Sequence, residues 1–136
     1  MNLKILTPEK TVLDEPIDFL SVETVEGSLG ILPSHAPLIA NLKIAPLHYL
    51  KNGETHYTAV MGGFLKVEKN EIIILAEAAE KDKEIDELRA KQAREKAEAL
   101  LTMREEQADL ARAEVALKRA LTRLKVVEKI RRVHPT

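Results

Sequence analysis

The period of the apolar residues changes near residue 80. Before that point, short runs alternate apolar and polar residues between turn-forming Gly, Pro and Asn, a pattern typical of β-strands. The candidate strands are Leu3–Leu6, Phe19–Thr24, Leu29–Leu32, Ala45–Leu50, Thr55–Val60, Phe64–Glu68 and Ile72–Ala76. Short strands at this spacing predict an antiparallel β-sandwich of about ten strands or a flattened barrel.

Two dipeptides predict tight turns between these strands. Asn52-Gly53 separates two candidate strands, and both residues tolerate the positive φ angles that a two-residue hairpin turn requires. Lys69-Asn70 predicts a weaker turn before the last strand.

After residue 80, apolar residues recur at helical steps of three and four. The clearest stripe comprises Leu110, Ala113, Leu117, Ala120, Leu121, Leu124 and Val127, and a weaker stripe comprises Ile85, Leu88, Ala93, Ala97 and Leu100. The alanines would let two helices approach closely. We therefore predict a β-sandwich domain over residues 1–80, followed by a C-terminal antiparallel α-helical hairpin over residues 81–136 that packs on the sandwich.

The position of the hairpin turn is ambiguous. It should lie within Thr102–Asp109, where no Gly or Pro occurs and where Asp109 could cap the second helix. Leu100–Leu110 could equally continue as one helix, since its residues are adequate helix formers. Two hypotheses stay open: a static hairpin, and a two-state element that is either folded or extended.

Charge is unevenly distributed along the 136 residues, although the net charge is only −1. Residues 1–79 carry 6 basic and 10 acidic side chains, whereas residues 80–136 carry 15 basic and 12 acidic ones. The basic end favours an acidic partner. The alternative interpretation is an ordinary solvated helix face.

The composition and the absence of catalytic motifs argue against an enzyme. Cysteine is absent, which excludes disulfides, thiolate zinc sites and a thiol nucleophile. Phosphate-loop, HExxH and GxSxG motifs are missing, so we expect no catalytic residues and no metal site. The four histidines, which lack metal-ligand spacing, are His35, His48, His56 and His134.

We expect a soluble protein with no direct membrane insertion. The sequence contains no apolar run near the roughly 18 residues of a spanning helix. Residues 1–5 lead straight into strand-like sequence without a signal segment. Contact with a membrane system would therefore come through a partner.

Spacing places several charged residues together on the predicted hairpin. Asp86 and Arg89 share one helical face, and Arg119 and Arg123 share a face of the second helix. In an antiparallel pair, the three arginines would converge near one carboxylate. Such a cluster suits a polyphosphate, and an interhelical salt-bridge network is the alternative.

Three segments resemble the epsilon subunits of bacterial F-type ATP synthases. Residues 27–38 (GSLGILPSHAPL) are similar to the family's GxLGILPxHAPL segment. Residues 61–67 (MGGFLKV) resemble its GGF-x-x-V strand, and residues 114–120 (EVALKRA) resemble its AELALKRA stretch. The motifs occur in the family's order, and the similarity runs from the first strand to about Ile130.

The resemblance implies a ten-stranded sandwich with two helices, in a non-catalytic rotor subunit of the central stalk. The sandwich would seat the gamma subunit on the c-ring, with Ser28 and His35 as partner contacts. Ser28 stands where many relatives carry an acidic residue. The complex would be peripheral, on the cytoplasmic face of the bacterial plasma membrane.

The resemblance also implies an inhibitory helical arm. The two helices would fold against the sandwich, or extend along gamma into the head of alpha and beta subunits and block ATP hydrolysis. The basic surface implied for this arm comprises Lys118, Arg119, Arg123, Lys125, Lys129, Arg131 and Arg132.

Some members of the family bind ATP through a motif written I/L-D-x-x-R-A, which is complete here at residues 85–90. ATP would be a regulatory ligand that holds the arm down; no cofactor is required, and the role of magnesium stays open. The implied ATP-binding residues are Glu80, Ile85, Asp86, Arg89, Ala90, Lys96, Arg119 and Arg123. Lys96 replaces a family arginine and so lacks its bidentate fork.

Two alternatives differ from this function. One is a basic helical hairpin that binds nucleic acid, although the hairpin lacks interleaved aromatic residues and the pI is about 6.4. The other is an epsilon subunit with no nucleotide sensing.

Overall fold

The structure, a computed structural model, describes residues 1–103 and 107–133. In these residues eight strands form one continuous sheet, which folds over itself around the main apolar core. The strands are β1 (Asn2–Leu6), β2 (Thr11–Pro16), β3 (Phe19–Thr24), β4 (Gly27–Ile31), β5 (Leu38–Lys51), β6 (Glu54–Glu68), β7 (Glu71–Ala76) and β8 (Ala79–Lys81). Their order is β2-β1-β7-β6-β5-β3-β4, and β8 pairs with β6. The predicted sandwich and helical hairpin are confirmed.

Two long strands explain the expected count of ten. β5 and β6 pair from Leu38↔Val67 to Lys51↔Glu54 and contain 14 and 15 residues. The other edge of β6 pairs with β7 over residues 63–68 and with β8 over residues 58–60. Each long strand therefore belongs to two parts of the sheet. The eight strands become ten when β5 and β6 are each counted as two.

The pairing differs from the expected all-antiparallel pattern at one place. β1 and β7 are parallel, from Asn2↔Glu71 to Leu6↔Leu75. The two strands come from opposite ends of the sandwich sequence and no hairpin joins them, so nothing forces an antiparallel arrangement. Sequence reasoning also missed β2, whose adjacent buried residues Val12 and Leu13 break the two-residue period, and β8, which is only three residues long.

Both predicted turns are confirmed by backbone geometry. Asn52 and Gly53 have φ angles of 52° and 80°, as a mirror-image hairpin turn requires. Lys69 and Asn70 also have positive φ, at 49° and 61°, although lysine is a poor residue for this conformation.

The hairpin follows the sandwich through a short 3₁₀ turn, Asp82–Glu84, and consists of α1 (Glu87–Met103) and α2 (Gln107–Val133). α2 contacts β5 and β6, and α1 packs mainly on α2. The fully buried side chain of Val126 lies against Ala59 and Met61 of β6. The alanines buried in the hairpin are Ala90, Ala97, Ala113 and Ala120.

Some helix expectations are wrong. Leu88 is 66% exposed and Leu100 is 39% exposed, because α1 has no layer beyond α2 against which to bury a full apolar stripe. Asp109 lies inside the first turn of α2 and is not its cap. Residues 104–106, where the hairpin turn was expected, and His134 lie outside the described residues.

Gly63 of β6 leaves no room for a side chain against β7, and it generates a stability prediction. A Cβ at Gly63 would lie 2.0 Å from the carbonyl oxygen of Leu75, whereas a Cβ at Gly27 would meet nothing within 4 Å. The two glycines have nearly the same φ, +127° and +130°. Gly27→Ala should cost only backbone strain, about 1–3 kcal/mol. Gly63→Ala should cost about 1–3 kcal/mol more because of the clash.

Urea unfolding of the two variants measures this difference, and Gly27→Ala is the control for backbone strain. Equal losses of unfolding free energy in both variants would contradict the close approach at Gly63.

Candidate functional site

A groove of about 360 Å³ opens between β8, α1, α2 and the linker, which is the segment of residues 82–86 that joins β8 to α1. Its lining residues are Glu80, Glu84, Asp86, Arg89, Ala90, Ala93 and Arg123. Five of the eight residues that sequence reasoning assigned to nucleotide binding lie in it. The groove is within the size range of small-molecule sites.

A second cavity of about 560 Å³ adjoins the groove and shares Ala93 and Arg123 with it. The remaining residues that line it are Ala111, Arg112, Val115, Ala116 and Arg119. The two cavities together present arginines beside small apolar surfaces, a combination that suits a ligand with an anionic and an apolar part.

Each arginine of the cluster has its own carboxylate, so the expected convergence on one carboxylate is wrong. Arg123 donates from Nε to Oε1 of Glu80 at 2.9 Å, and its Nη2 lies 2.7 Å from the same oxygen. Arg119 lies 3.4 Å from Glu77. Both pairs join α2 to the end of the sandwich domain, because Glu77 and Glu80 flank the start of β8.

Arg119 also carries an unsatisfied donor. Its Nε is buried and makes no hydrogen bond to any atom of residues 1–103 or 107–133. Leaving a buried charged donor unpaired is costly. Arg119 lines the second cavity, and an anion that reached Nε would satisfy this donor.

Asp86 has a clear local role at the start of α1. Its Oδ1 accepts the backbone N–H of Arg89 at 3.1 Å, as an N-cap side chain does. Its Oδ2 lies 3.5 Å from Nε of Arg89, whose side chain is 85% exposed. Asp86 therefore both begins the helix and orients Arg89, which leaves most of that guanidinium open to solvent.

Two further residues implied by the motif lie outside the groove. Ile85 is partly buried and packs on the cluster of Ala59, Met61 and Val126, so it anchors the linker. Lys96 is exposed and lines neither cavity. It follows Arg89 by seven positions, which places the two on one helical face.

Comparison with known proteins decides the family. A model described as the β-sandwich domain of the ATP synthase delta/epsilon chain matches residues 1–82. A model described as the long α-helix domain of the same chain matches residues 83–128. The chain belongs to the ATP synthase delta/epsilon family.

Individual relatives narrow this assignment to epsilon subunits, which are non-catalytic stalk subunits. The chain is 49% identical over 132 residues to the ATP synthase epsilon chain of Herpetosiphon aurantiacus, covering 97% of this chain and 96% of that one. It is 49% identical to the epsilon chain of Symbiobacterium thermophilum, covering 92% and 91% of the two chains. It is 44% identical to that of Bacillus velezensis, covering 93% and 96%.

Solved structures share the fold of this epsilon-family chain. A chain of the Euglena gracilis mitochondrial ATP synthase, in a structure of OSCP, F1 and c-ring, matches with a TM-score of 0.79 and 25% identity, covering 90% of this chain and 78% of that chain. A chain of the Tetrahymena thermophila mitochondrial ATP synthase central stalk and c-ring matches with a TM-score of 0.60. At 16% identity over 93% of this chain and 95% of that one, the second match shows the fold alone.

The basic surface expected on α2 of the epsilon-family chain divides into paired and exposed residues. Arg119 and Arg123 form ion pairs with Glu77 and Glu80 of the sandwich domain. Arg131 donates a hydrogen bond to Glu87 at the start of α1. This hydrogen bond is the main reason why the pKa of Glu87 is lowered. Arg132 pairs within α2 with Glu128 at 2.6 Å. The lysines of this surface, all exposed, are Lys118, Lys125 and Lys129.

The two expected partner contacts lie near the β3–β4 turn and after β4. Ser28 is exposed and donates to both carboxylate oxygens of Glu23, at 2.8 and 2.9 Å. Its hydroxyl thus stands beside an acidic group. Nδ1 of His35 lies 2.7 Å from the carbonyl oxygen of Ala36.

Sequence reasoning missed an apolar patch on the outward face of the sandwich. Ile39 is 72% exposed, and Phe64 and Leu75, which are direct cross-strand partners, are 47% and 42% exposed. These three residues lie on the adjacent strands β5, β6 and β7 and define what we call the outer patch. The signal was available in the sequence, because each of them stands directly beside another apolar residue and so breaks the alternation of apolar and polar positions.

In residues 1–103 and 107–133, no three His, Cys, Asp or Glu side chains are arranged to hold a metal ion. Neither described helix is long and apolar enough to cross a bilayer.

His48 of β5 lies where α2 covers the sheet, and it generates a pH prediction. Burial and the charge of Lys129 lower the pKa of His48, while Glu23 opposes them. The unfolded state therefore binds a proton at a higher pH than the folded state, and stability should fall as the pH decreases below about 6.5. We expect His48→Gln to reduce the loss of unfolding free energy between pH 7.5 and pH 5.5.

Urea unfolding at the two pH values measures the effect. His56→Gln, on the neighbouring strand β6, is the matched control and should retain the wild-type loss. The same loss in all three proteins would show that His48 does not set the pH dependence.

Proposed function

We propose that this epsilon subunit is a rotor element of the central stalk whose helical hairpin is an inhibitory arm held down by ATP. In this proposal the sandwich joins the gamma subunit to the c-ring. The complex lies peripherally on the cytoplasmic face of a bacterial plasma membrane, which the bacterial relatives favour. Family membership favours this role over nucleic-acid binding.

The outer patch supports docking of the sandwich to stalk partners. Exposed apolar side chains on three adjacent strands are costly in water and are typical of interaction surfaces. The Euglena gracilis structure, in which the matched chain is 25% identical, is of an assembly that includes a c-ring. Ser28 and Glu23 extend the surface with a polar edge.

The unpaired Nε of Arg119 is the observation that carries ATP binding. It is a buried donor of a guanidinium group whose residue lines the second cavity, and that cavity shares Arg123 with the groove of Arg89. The phosphates of ATP would accept from these guanidiniums, which bind phosphate through planar forks. Ala93, which lines both cavities, and Val115 offer apolar contact to the rest of the nucleotide.

The interactions that hold the hairpin on the sandwich are weak enough for the hairpin to be released. The ion pairs that hold α2 are partly or fully exposed, and exposed pairs contribute about 0.2–1 kcal/mol each. A ligand that binds only the folded hairpin stabilises it by about 2.7 kcal/mol at a hundred times its Kd. The stabilisation by bound ATP would thus be similar to that of these ion pairs taken together. When ATP is scarce, the arm would leave the sandwich and its exposed lysines would meet acidic surfaces of the beta subunits.

Nucleotide affinity tests the ATP site directly. We expect Arg119→Ala and Arg123→Ala each to weaken ATP binding about tenfold or more, since each removes charged hydrogen bonds worth about 1.5–3 kcal/mol. Lys118→Ala is the matched control, because Lys118 is adjacent and exposed but lines neither cavity. Isothermal titration calorimetry measures the affinities, and circular dichroism checks that the helices remain. No binding by folded wild type at millimolar ATP would leave an epsilon subunit without nucleotide sensing.

Inhibition tests the arm. We expect Lys118→Ala combined with Lys125→Ala to relieve inhibition of ATP hydrolysis in a reconstituted complex assayed at low ATP, where the arm is free. Lys4→Ala, which removes an exposed lysine of β1, should leave inhibition unchanged. Hydrolysis rates measure the effect, and removal of residues 83–136 sets the uninhibited limit. An unchanged rate after that truncation would exclude an inhibitory arm.

A further inference from the structure

Three carboxylates line the groove that is proposed to bind a triphosphate: Glu80, Glu84 and Asp86. Each would repel phosphate unless a cation neutralises it. Glu80 has Arg123 and Asp86 has Arg89, both of which line the groove themselves. Glu84 differs, because the cation that pairs with it comes from outside the groove, from the turn between β1 and β2.

That cation is Lys10. Its Nζ lies 2.8 Å from Oε2 of Glu84, and the other carboxylate oxygen accepts the backbone N–H of Lys81 at 3.1 Å. The pair therefore ties the β1–β2 turn to the linker that leads into α1.

The turn presents Lys10 in a fixed position. The backbone N–H of Thr7 donates to the carbonyl oxygen of Lys10 at 3.0 Å, and the backbone N–H of Lys10 lies 3.3 Å from the hydroxyl of Thr7. The hydrogen bond between the side chains of Lys10 and Glu84 is the main cause that raises the pKa of Lys10 and lowers the pKa of Glu84. Both groups are therefore charged across the neutral pH range.

We propose that Lys10 is a positioning residue of the nucleotide site, which acts by neutralising Glu84 and holding it away from the phosphates. This inference rests on the proposed ATP function. Without Lys10, the carboxylate of Glu84 faces a groove whose two arginines already have carboxylate partners. Its charge would then oppose a polyphosphate.

A double-mutant cycle on the full chain tests the proposal by calorimetry at low ionic strength. We expect Lys10→Gln to weaken ATP binding about two- to fivefold, the range of an exposed ion pair. Glu84→Gln should bind ATP as wild type or more tightly, and Lys10→Gln should have no further effect in the Glu84→Gln background. Lys4→Gln, which removes a lysine paired with Asp14 elsewhere on the β1–β2 pair, is the matched control.

The charge of the ligand separates this role from a merely structural one. Lys10→Gln should weaken binding of ATP more than binding of AMP, because repulsion by Glu84 grows with phosphate charge. Equal losses for both nucleotides would indicate a structural role and overturn the proposal. If Lys10→Gln causes the same loss of ATP affinity in the Glu84→Gln background, Lys10 contacts the anion directly. That result also overturns the proposal.

Failure of the nucleotide function itself gives a different result. In that case wild type and every variant show no heat of binding with ATP. If wild type binds and Lys10→Gln binds equally well, the ATP site stands and only the role of Lys10 is excluded.

Discussion

The contact of α2 with β6 is the interaction on which the rest of the hairpin depends. α1 packs mainly on α2, and both cavities lie between elements that this contact holds in place. Among the described residues of α2, Val126 is the only large apolar side chain that is fully buried. Burying one such side chain stabilises by about 1.5–3 kcal/mol. A contact of this size holds the hairpin, and a ligand or a partner can still shift its equilibrium.

The sandwich does not share this dependence. All residues of its main core come from β1–β8 and the connections between them, and a separate small cluster joins Ala59 and Met61 to Val126. Removing α2 would uncover that small cluster and leave the main core unchanged. The two cores therefore give the chain a rigid part and a part that can detach, an arrangement that suits a switch built on a fixed rotor element.

Local patterns were enough to predict most elements, and long-range pairing was not predictable. Asn52-Gly53 predicted its turn because the required φ angles belong to those two residues alone. The parallel pair of β1 with β7 and the ion pair of Lys10 with Glu84 join residues about seventy positions apart, and no local property specifies them. Spacing correctly grouped Arg89 and Arg123 in one groove. It could not assign their carboxylates, since Glu77 and Glu80 approach α2 only through the fold.

Carboxylates in a groove for phosphate have a physical use. An arginine without a partner samples many rotamers, and ordering it on binding costs free energy. Glu80 holds Arg123 through two contacts to one oxygen, and Asp86 holds Arg89 near the helix start, so both guanidiniums are oriented before a ligand arrives. A phosphate would displace Asp86 from Arg89 at a small cost, because that pair is exposed and exposed pairs are weak, and it would share Arg123 with Glu80. Glu84 has no such arginine to orient, and for that reason its charge needs a cation from outside the groove.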